Sequence, residues 1–122
     1  MAEVKRTYWN DGNLRSECFT INGKKNGEQK QYYINGQLYC IRTYIDGKIN
    51  GEAKSYHRNG QLNCMCSFID GKINGEFKQY YNNGQLYAMC TYIDNTLNGE
   101  EKSYHTNGQL KVTSMYILGK NI

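Results

Sequence analysis

Asn83-Gly84-Gln85-Leu86 is the stretch from which the rest of the sequence is read. The same four residues recur as Asn35-Gly36-Gln37-Leu38, Asn59-Gly60-Gln61-Leu62 and Asn107-Gly108-Gln109-Leu110, always at the same spacing. Asp11-Gly12-Asn13-Leu14 is an altered copy one period earlier. Asn-Gly between two runs of β-favouring residues is the strongest short-range hairpin signal a sequence offers, because both residues tolerate positive φ. A fixed period of this length marks a repeat array.

Two further turn signals keep the same period. One is Asn22-Gly23, Asp46-Gly47, Asp70-Gly71 and the variant Asp94-Asn95. The other is Asn26-Gly27, Asn50-Gly51, Asn74-Gly75 and Asn98-Gly99, each followed by a glutamate: Glu28, Glu52, Glu76 and Glu100. Between turns lie two β-type runs per period, as in residues 76–81 and 85–93, and no segment has room for a ten-residue helix with 3.6-residue periodicity. The pattern predicts an all-β fold: an elongated, single-layer, twisted antiparallel sheet of about ten strands, built from successive β-hairpin repeats of about 24 residues. The array is expected to occupy residues 1–122 as one domain, with units at about 5–27, 28–51, 52–75, 76–99 and 100–119. The first and last units depart from the pattern, as terminal caps of a solenoid do. Residues 120–122 are expected to fray. A two-residue turn at Asn35-Gly36 would pair Tyr33 with Leu38 and Tyr32 with Tyr39. One face would then carry Gln31, Tyr33, Leu38, Cys40, Arg42 and Tyr44, and the other Lys30, Tyr32, Tyr39, Ile41, Thr43 and Ile45; a loop longer by one residue would flip this assignment on one strand.

Composition narrows the functional classes. The chain has 122 residues, net charge +4, no proline and 13 glycines, nearly all of which directly follow Asn or Asp. Acids are interspersed with the lysines, short of the dense basic stripe of a dedicated nucleic-acid binder. No apolar run is long enough for a membrane span or a signal peptide, and the five cysteines are odd in number. A reduced, cytoplasmic setting is the expectation. Phe, Tyr, Met, Ile, Asn and Lys together far outnumber Gly, Ala, Arg and Pro, which points to an AT-rich genome of a low-GC bacterium, its phage or a large virus.

The residues Tyr80-Tyr81-Asn82-Asn83-Gly84-Gln85-Leu86, then Thr91-Tyr92-Ile93-Asp94, then Asn98-Gly99-Glu100 resemble the MORN repeat, closest to its second variety in bacterial antitoxin-like proteins and large viruses. The resemblance spans about residues 5–119 and departs at the first unit and at Asp94-Asn95. It implies an elongated sheet of hairpins with no catalysis of its own, which binds proteins, mediates dimers or contacts membrane lipids. The antitoxin-like variety implies neutralisation of a partner protein.

The reactive side chains do not assemble into a catalytic set. Cys40, Cys64, Cys66 and Cys90 fall on strands two apart, about 9–10 Å at standard strand spacing. That separation is too wide for a disulfide or a four-ligand zinc site. His57 and His105 lie two periods apart, with no nucleophile and orienting group in step. No enzyme activity, metal or cofactor is expected. Tyr33, His57, Tyr81 and His105 form an aromatic column with Tyr39 and Tyr87 beside it. These six are the candidate partner-binding residues, because tyrosine gives rigid contact area with a polar tip. The alternative for the column is packing between repeats. Lys30, Lys54, Lys78 and Lys102 form a ladder flanked by tyrosines, a candidate for anion contacts, although a glutamate two positions before each offsets its charge. The expected function is a non-enzymatic protein–protein interaction module, of inhibitor or antitoxin type and phage- or virus-coded origin, that binds a partner protein or a second copy as a homodimer. Nucleic acid or anionic membrane binding through the lysine ladder, and a passive scaffold, are the alternatives.

Overall fold

The computed structural model describes all 122 residues as one open antiparallel sheet. In chain order the strands are β1 (Ala2–Tyr8), β2 (Leu14–Ile21), β3 (Lys24–Tyr32), β4 (Leu38–Ile45), β5 (Lys48–Ile49), β6 (Gly51–Tyr56) and β7 (Leu62–Ile69). They continue with β8 (Lys72–Tyr80), β9 (Leu86–Ile93), β10 (Thr96–Leu97), β11 (Gly99–Tyr104), β12 (Leu110–Ile117) and β13 (Lys120–Asn121). Each strand pairs with its sequence neighbour, and the short β5 and β10 are the leading ends of β6 and β11, set off by Asn50 and Asn98. The single-layer meander expected from the turns is the observed fold.

The three turn signals do three different jobs. At Asn83-Gly84 the Gly84 N–H donates to the Tyr81 carbonyl at 3.0 Å, and the Tyr81 N–H donates to the Gln85 carbonyl at 2.8 Å. The loop is therefore Asn82-Asn83-Gly84, one residue longer than the tightest hairpin. Gly84 takes φ of 91°, where an L side chain is strained. The Asn83 side chain holds the loop from within, its Oδ1 accepting the Gln85 N–H at 2.9 Å. The second series is the two-residue turn with both φ positive, as in Asp46 (50°) and Gly47 (82°). Asp94-Asn95 keeps that geometry at 48° and 68° without a glycine, since Asn tolerates the left-handed region. The third series does not reverse the chain. Asn26-Gly27 and Asn74-Gly75 sit inside β3 and β8, where pairing skips from Thr20↔Lys25 to Cys18↔Gln29 and from Phe68↔Ile73 to Cys66↔Phe77. They are bulges, not hairpins, because the strands on either side stay antiparallel to the same neighbour.

The longer loop has a compensating defect. Tyr32 pairs with Leu38, whereas Gln31 pairs with Cys40, so Tyr39 is an extra, bulged residue. Tyr80↔Leu86 and Gln79↔Ala88 bulge Tyr87 in the same way. One residue added to the loop and one added to the strand cancel, so beyond the bulge the register equals that of a two-residue turn. The expected faces hold for Gln31, Cys40 and Arg42 against Lys30, Ile41 and Thr43. They fail at the tip. Tyr39 is turned against Tyr33, ring centroids 5.0 Å apart, rather than lying on the opposite face.

One face therefore carries Gln31, Cys40, Ser55, Cys64, Gln79, Ala88 and Ser103 as a continuous row. Only Thr20, Cys40, Ala53, Cys66 and Cys90 are buried, and no large side chain is fully enclosed. The buried residues on this cysteine face are all small, and the larger ones beside them, such as Phe68 and Phe77, stay partly open to solvent. Against those five stand 77 backbone hydrogen bonds, so the ladder rather than a core carries most of the order. The C-terminus is not frayed: Lys120 and Asn121 pair with Ile117 and Tyr116.

Two substitutions test the turn assignments by urea unfolding. Gly84→Ala forces a Cβ into the left-handed region and is expected to cost about 1–2 kcal/mol. Leu118 occupies the Asp position of the last two-residue turn at φ of 46°. Leu118→Asn is expected to stabilise by about 1 kcal/mol, because Asn pays less for that conformation.

Candidate functional site

The aromatic column stands on the residue that enters each three-residue loop. Tyr33 Oη donates to the Tyr56 carbonyl at 2.7 Å, and Tyr81 Oη to the Tyr104 carbonyl at 2.7 Å. His57 Nε2 lies 2.9 Å from the Tyr80 carbonyl; a carbonyl only accepts, so this nitrogen carries the proton. Each polar tip thus reaches the end of a strand in the next repeat. Trp9 belongs to the same column, its Nε1 donating to the Tyr32 carbonyl at 3.3 Å. Sequence reasoning missed Trp9, although its position one period before Tyr33 was visible. Burial raises the Tyr33 phenol above its ordinary value, which keeps its proton available to Tyr56. His105, the last member, is exposed and has no such bond.

The Asn of two of these loops adds a second tie. Asn59 Nδ2 donates to the Asn82 carbonyl at 2.8 Å, and Asn83 Nδ2 to the Thr106 carbonyl at 3.1 Å. Packing between repeats, the structural alternative for the column, accounts for the tips of Tyr33, His57 and Tyr81.

What remains open on this side is the ring surface. Tyr39 and Tyr87, the bulged residues, are exposed and stack edge-on against Tyr33 and Tyr81 at 5.0 Å. His57, Tyr81 and Tyr87 come together around one hollow of about 390 Å³, completed by Asn63, Gln79, Tyr80 and Asn82. A second hollow of about 340 Å³ lies deeper on the cysteine face, lined by Phe77, Ala88, Cys90, Tyr92, Glu101 and Val112 among others. A third, of about 270 Å³, has Tyr39, Cys40, Arg42, Ala53, Cys66 and Phe68 on its walls. The sequence-selected residues are thus divided: His57, Tyr81 and Tyr87 share a hollow, Tyr39 borders another, and His105 stands apart at the C-terminal end.

The cysteines are free thiols. Cys40 Sγ donates to Gln31 Oε1 at 2.9 Å, and Cys64 Sγ lies 3.0 Å from Ser55 Oγ. Burial pushes the Cys66 thiol up to about 11 and raises Cys40 and Cys90 as well, so these are poor nucleophiles near neutral pH.

The lysines occupy the other face. Strand pairing sets them in one row with apolar residues between: Lys30, Ile41, Lys54, Met65, Lys78, Met89, Lys102. Each has the glutamate two positions earlier within 4.0 Å, closest at Lys54–Glu52 with 3.1 Å. A second row on this face went unread in the sequence. Ile21, Ile45, Ile69, Ile93 and Ile117, each just before a two-residue turn, are all exposed. Lys24, Lys48, Lys72 and Lys120 pair directly with four of them.

A family model described as a MORN repeat variant matches residues 25–46, 49–70, 73–94 and 97–117. No curated protein matches the sequence. Among solved structures, the chain is similar to part of accessory secretory protein 1, 2 and 3 of Streptococcus pneumoniae, with TM-score 0.46 and 15% identity over 83% of this chain and 19% of that one. It is also similar to part of the GtfA/B complex bound to UDP and GlcNAc, with TM-score 0.34 and 11% identity over 90% of this chain and 23% of that one. The chain thus spans about a fifth of the length of these structures.

Removing single groups separates strut from surface. Tyr81→Phe deletes the bond to Tyr104 and is expected to cost about 0.5–1.5 kcal/mol in urea unfolding, whereas Tyr87→Phe leaves stability unchanged. For Cys66, the folded-state value lies above the ordinary thiol value of 9.0. Its burial therefore stabilises fully below pH 9.0, and that contribution is lost as pH rises toward about 11. Alkylation of the native protein near neutral pH is expected to reach the half-buried Cys18 and Cys64 before Cys40, Cys66 and Cys90.

Proposed function

The chain belongs to the MORN repeat variant family, and from that premise we propose that it is a non-enzymatic protein-binding module of inhibitor or antitoxin type. Repeats of this family serve as binding modules for proteins or membrane lipids. The observation that carries the protein-binding reading is the run of three hollows along the cysteine face, one bordered by Tyr39 and another by Tyr87. Their rings stand pre-ordered against Tyr33 and Tyr81, so little side-chain freedom is lost on contact. Arg42 and Glu101 supply opposite charges on the walls of two of these hollows, which favours a partner segment of mixed charge and apolar anchors. Blocking a partner by occupying its surface requires no chemistry from this chain, and most of its thiols and imidazoles are engaged in structural bonds or buried. The proposed setting is the cytoplasm of a bacterial cell or of an infected host cell.

A second reading draws on the lysine face. The exposed isoleucine row with its paired lysines presents apolar anchors beside cations, the combination that seats a protein on an anionic lipid surface. The glutamates beside Lys30, Lys54, Lys78 and Lys102 oppose it.

Capture from lysate of the source cells by the tagged chain, followed by mass spectrometry, tests the first reading. Tyr39→Ala and Tyr87→Ala are expected to weaken capture of the same partner about tenfold each, as interface aromatics do. Capture is expected to change little with salt, and the captured protein to lose its activity. Unchanged capture by both variants would place the contact away from the cysteine face. Sedimentation with vesicles of anionic phospholipid, abolished by Ile45→Glu with Ile69→Glu and by raised salt, would favour the lysine face instead.

A further inference from the structure

The two ends of the sheet hold the two complementary strands of an inter-repeat joint. β1 is β6 displaced by two periods: Arg6↔Glu17, Thr7↔Ser16 and Tyr8↔Leu14 repeat Lys54↔Met65, Ser55↔Cys64 and Tyr56↔Leu62, bulge included. β12 is likewise β4 displaced by three periods, and its outer edge is covered by the C-terminal residues only from Met115 to Ile117, where Ile122 N–H donates to the Met115 carbonyl as Asn50 N–H does to the Thr43 carbonyl beside β6. Within the array, β4 offers Cys40 and Ile41 to Ser55 and Lys54 of β6, and β9 offers Ala88 and Met89 to Ser103 and Lys102 of β11. The corresponding residues at the ends are Val112 and Thr113 on β12, and Thr7 and Arg6 on β1.

We infer that copies of this chain join end to end, β1 of a second copy adding to the outer edge of β12 in the register used between β4 and β6. Val112 then pairs with Thr7 of the second copy and Thr113 with Arg6 of the second copy. The inter-repeat ties continue across the joint. His57 bonds the Tyr80 carbonyl, and two periods on the unbonded His105 meets the Tyr8 carbonyl of the second copy. Asn59 bonds the Asn82 carbonyl, and Asn107 likewise meets the Asn10 carbonyl of the second copy.

The end residues differ from their internal counterparts in a matched way. Inside the array one row of the lysine face is polar: Thr43 with Glu52 in phase across the β4–β6 joint, and Thr91 with Glu100 across the β9–β11 joint. At the two ends those phases hold Met115 and Val4, 40% and 43% exposed. End-to-end joining brings these two apolar residues together, and it also covers Val112, Leu110 and Tyr8, which are exposed at the free ends. The charges on β1 do not oppose it, since Arg6 is already bonded to Glu17 at 2.8 Å and faces Thr113 in the joint. Ala2 shares its phase with Ile122, so Met1 and Ala2 step off β2 when the ends meet. The contact is heterologous, and a heterologous contact that does not close gives an open series of oligomers rather than a dimer.

The inference is separate from the partner-binding reading, because a chain with one blocked end keeps all its hollows. Sedimentation velocity of the 122-residue chain at rising concentration is expected to show dimer, trimer and longer species. Val4→Lys blocks only the β1 end and Met115→Lys only the β12 end, so each variant alone is expected to stay monomeric. An equimolar mixture retains one good end of each kind and is expected to yield a single species of twice the 14.1 kDa chain mass, with nothing larger. Val112→Lys is the substitute β12 block if circular dichroism shows Met115→Lys to be unfolded. A wild-type chain that stays monomeric, a wild-type chain that stops at dimer, or blocked variants that still self-associate would each overturn the inference.

Discussion

A sheet one layer thick has nothing to pack against, and here the missing layer is replaced by side chains bonded to the backbone one repeat ahead. Tyr33, His57 and Tyr81 each cap the carbonyl that ends a strand of the following repeat. Asn59 and Asn83 bond loop carbonyls two residues further on, those of Asn82 and Thr106. A strand-end carbonyl left to water gains little from folding; tied to a neighbouring loop, it fixes the distance and twist between successive hairpins. Each such bond contributes only about 0.5–1.5 kcal/mol. The same bond repeated from joint to joint makes neighbouring repeats cooperative, as nearest-neighbour coupling does in any linear array.

The loop geometry and the site are one device. A loop one residue longer than the tightest hairpin would invert every side chain beyond it. The bulge at Tyr39 and Tyr87 removes that inversion within two positions and turns the bulged side chain toward the column. Its occupants are Arg15, Tyr39, Asn63, Tyr87 and Lys111, a diverse series beside a near-constant Asn-Gly pair. Arg15 lies over Trp9 at 4.8 Å as Tyr39 lies against Tyr33. The repeat thus holds a constant strut and presents a changing neighbour, which is how an array with one backbone geometry acquires a distinctive surface.

Much of this was legible in the residues. The fixed period, the all-β meander and the family followed from Asn-Gly and Asp-Gly recurring in step, because few residue pairs accept positive φ. The candidate column was legible as a row, and its internal members do share one geometric role. That role was not legible, because a tyrosine that bonds the next repeat and one that awaits a partner have the same spacing. Trp9 was hidden by the irregular look of the first unit, although its strands pair in the common register. The isoleucine row was hidden because each isoleucine ends a strand that reads as half-buried, and only the absence of a covering layer shows that they face solvent.

The sequence by itself determined where the backbone takes positive φ, since φ preferences are local and need no context, and two of its three series are the chain reversals. Asn83-Gly84-Gln85-Leu86 and its copies set the number of hairpins and the order of strands. The tertiary structure alone decided the loop length, the compensating bulge and, through them, which face each tyrosine occupies. Those features are held by hydrogen bonds within each hairpin, and the ring tips are then fixed by bonds to the backbone about one repeat ahead. Loop and bulge each shift the register by one residue and cancel, so only the residues at the tip, Tyr39 and Tyr87 among them, change face, and no local preference in the sequence announces that pair of shifts.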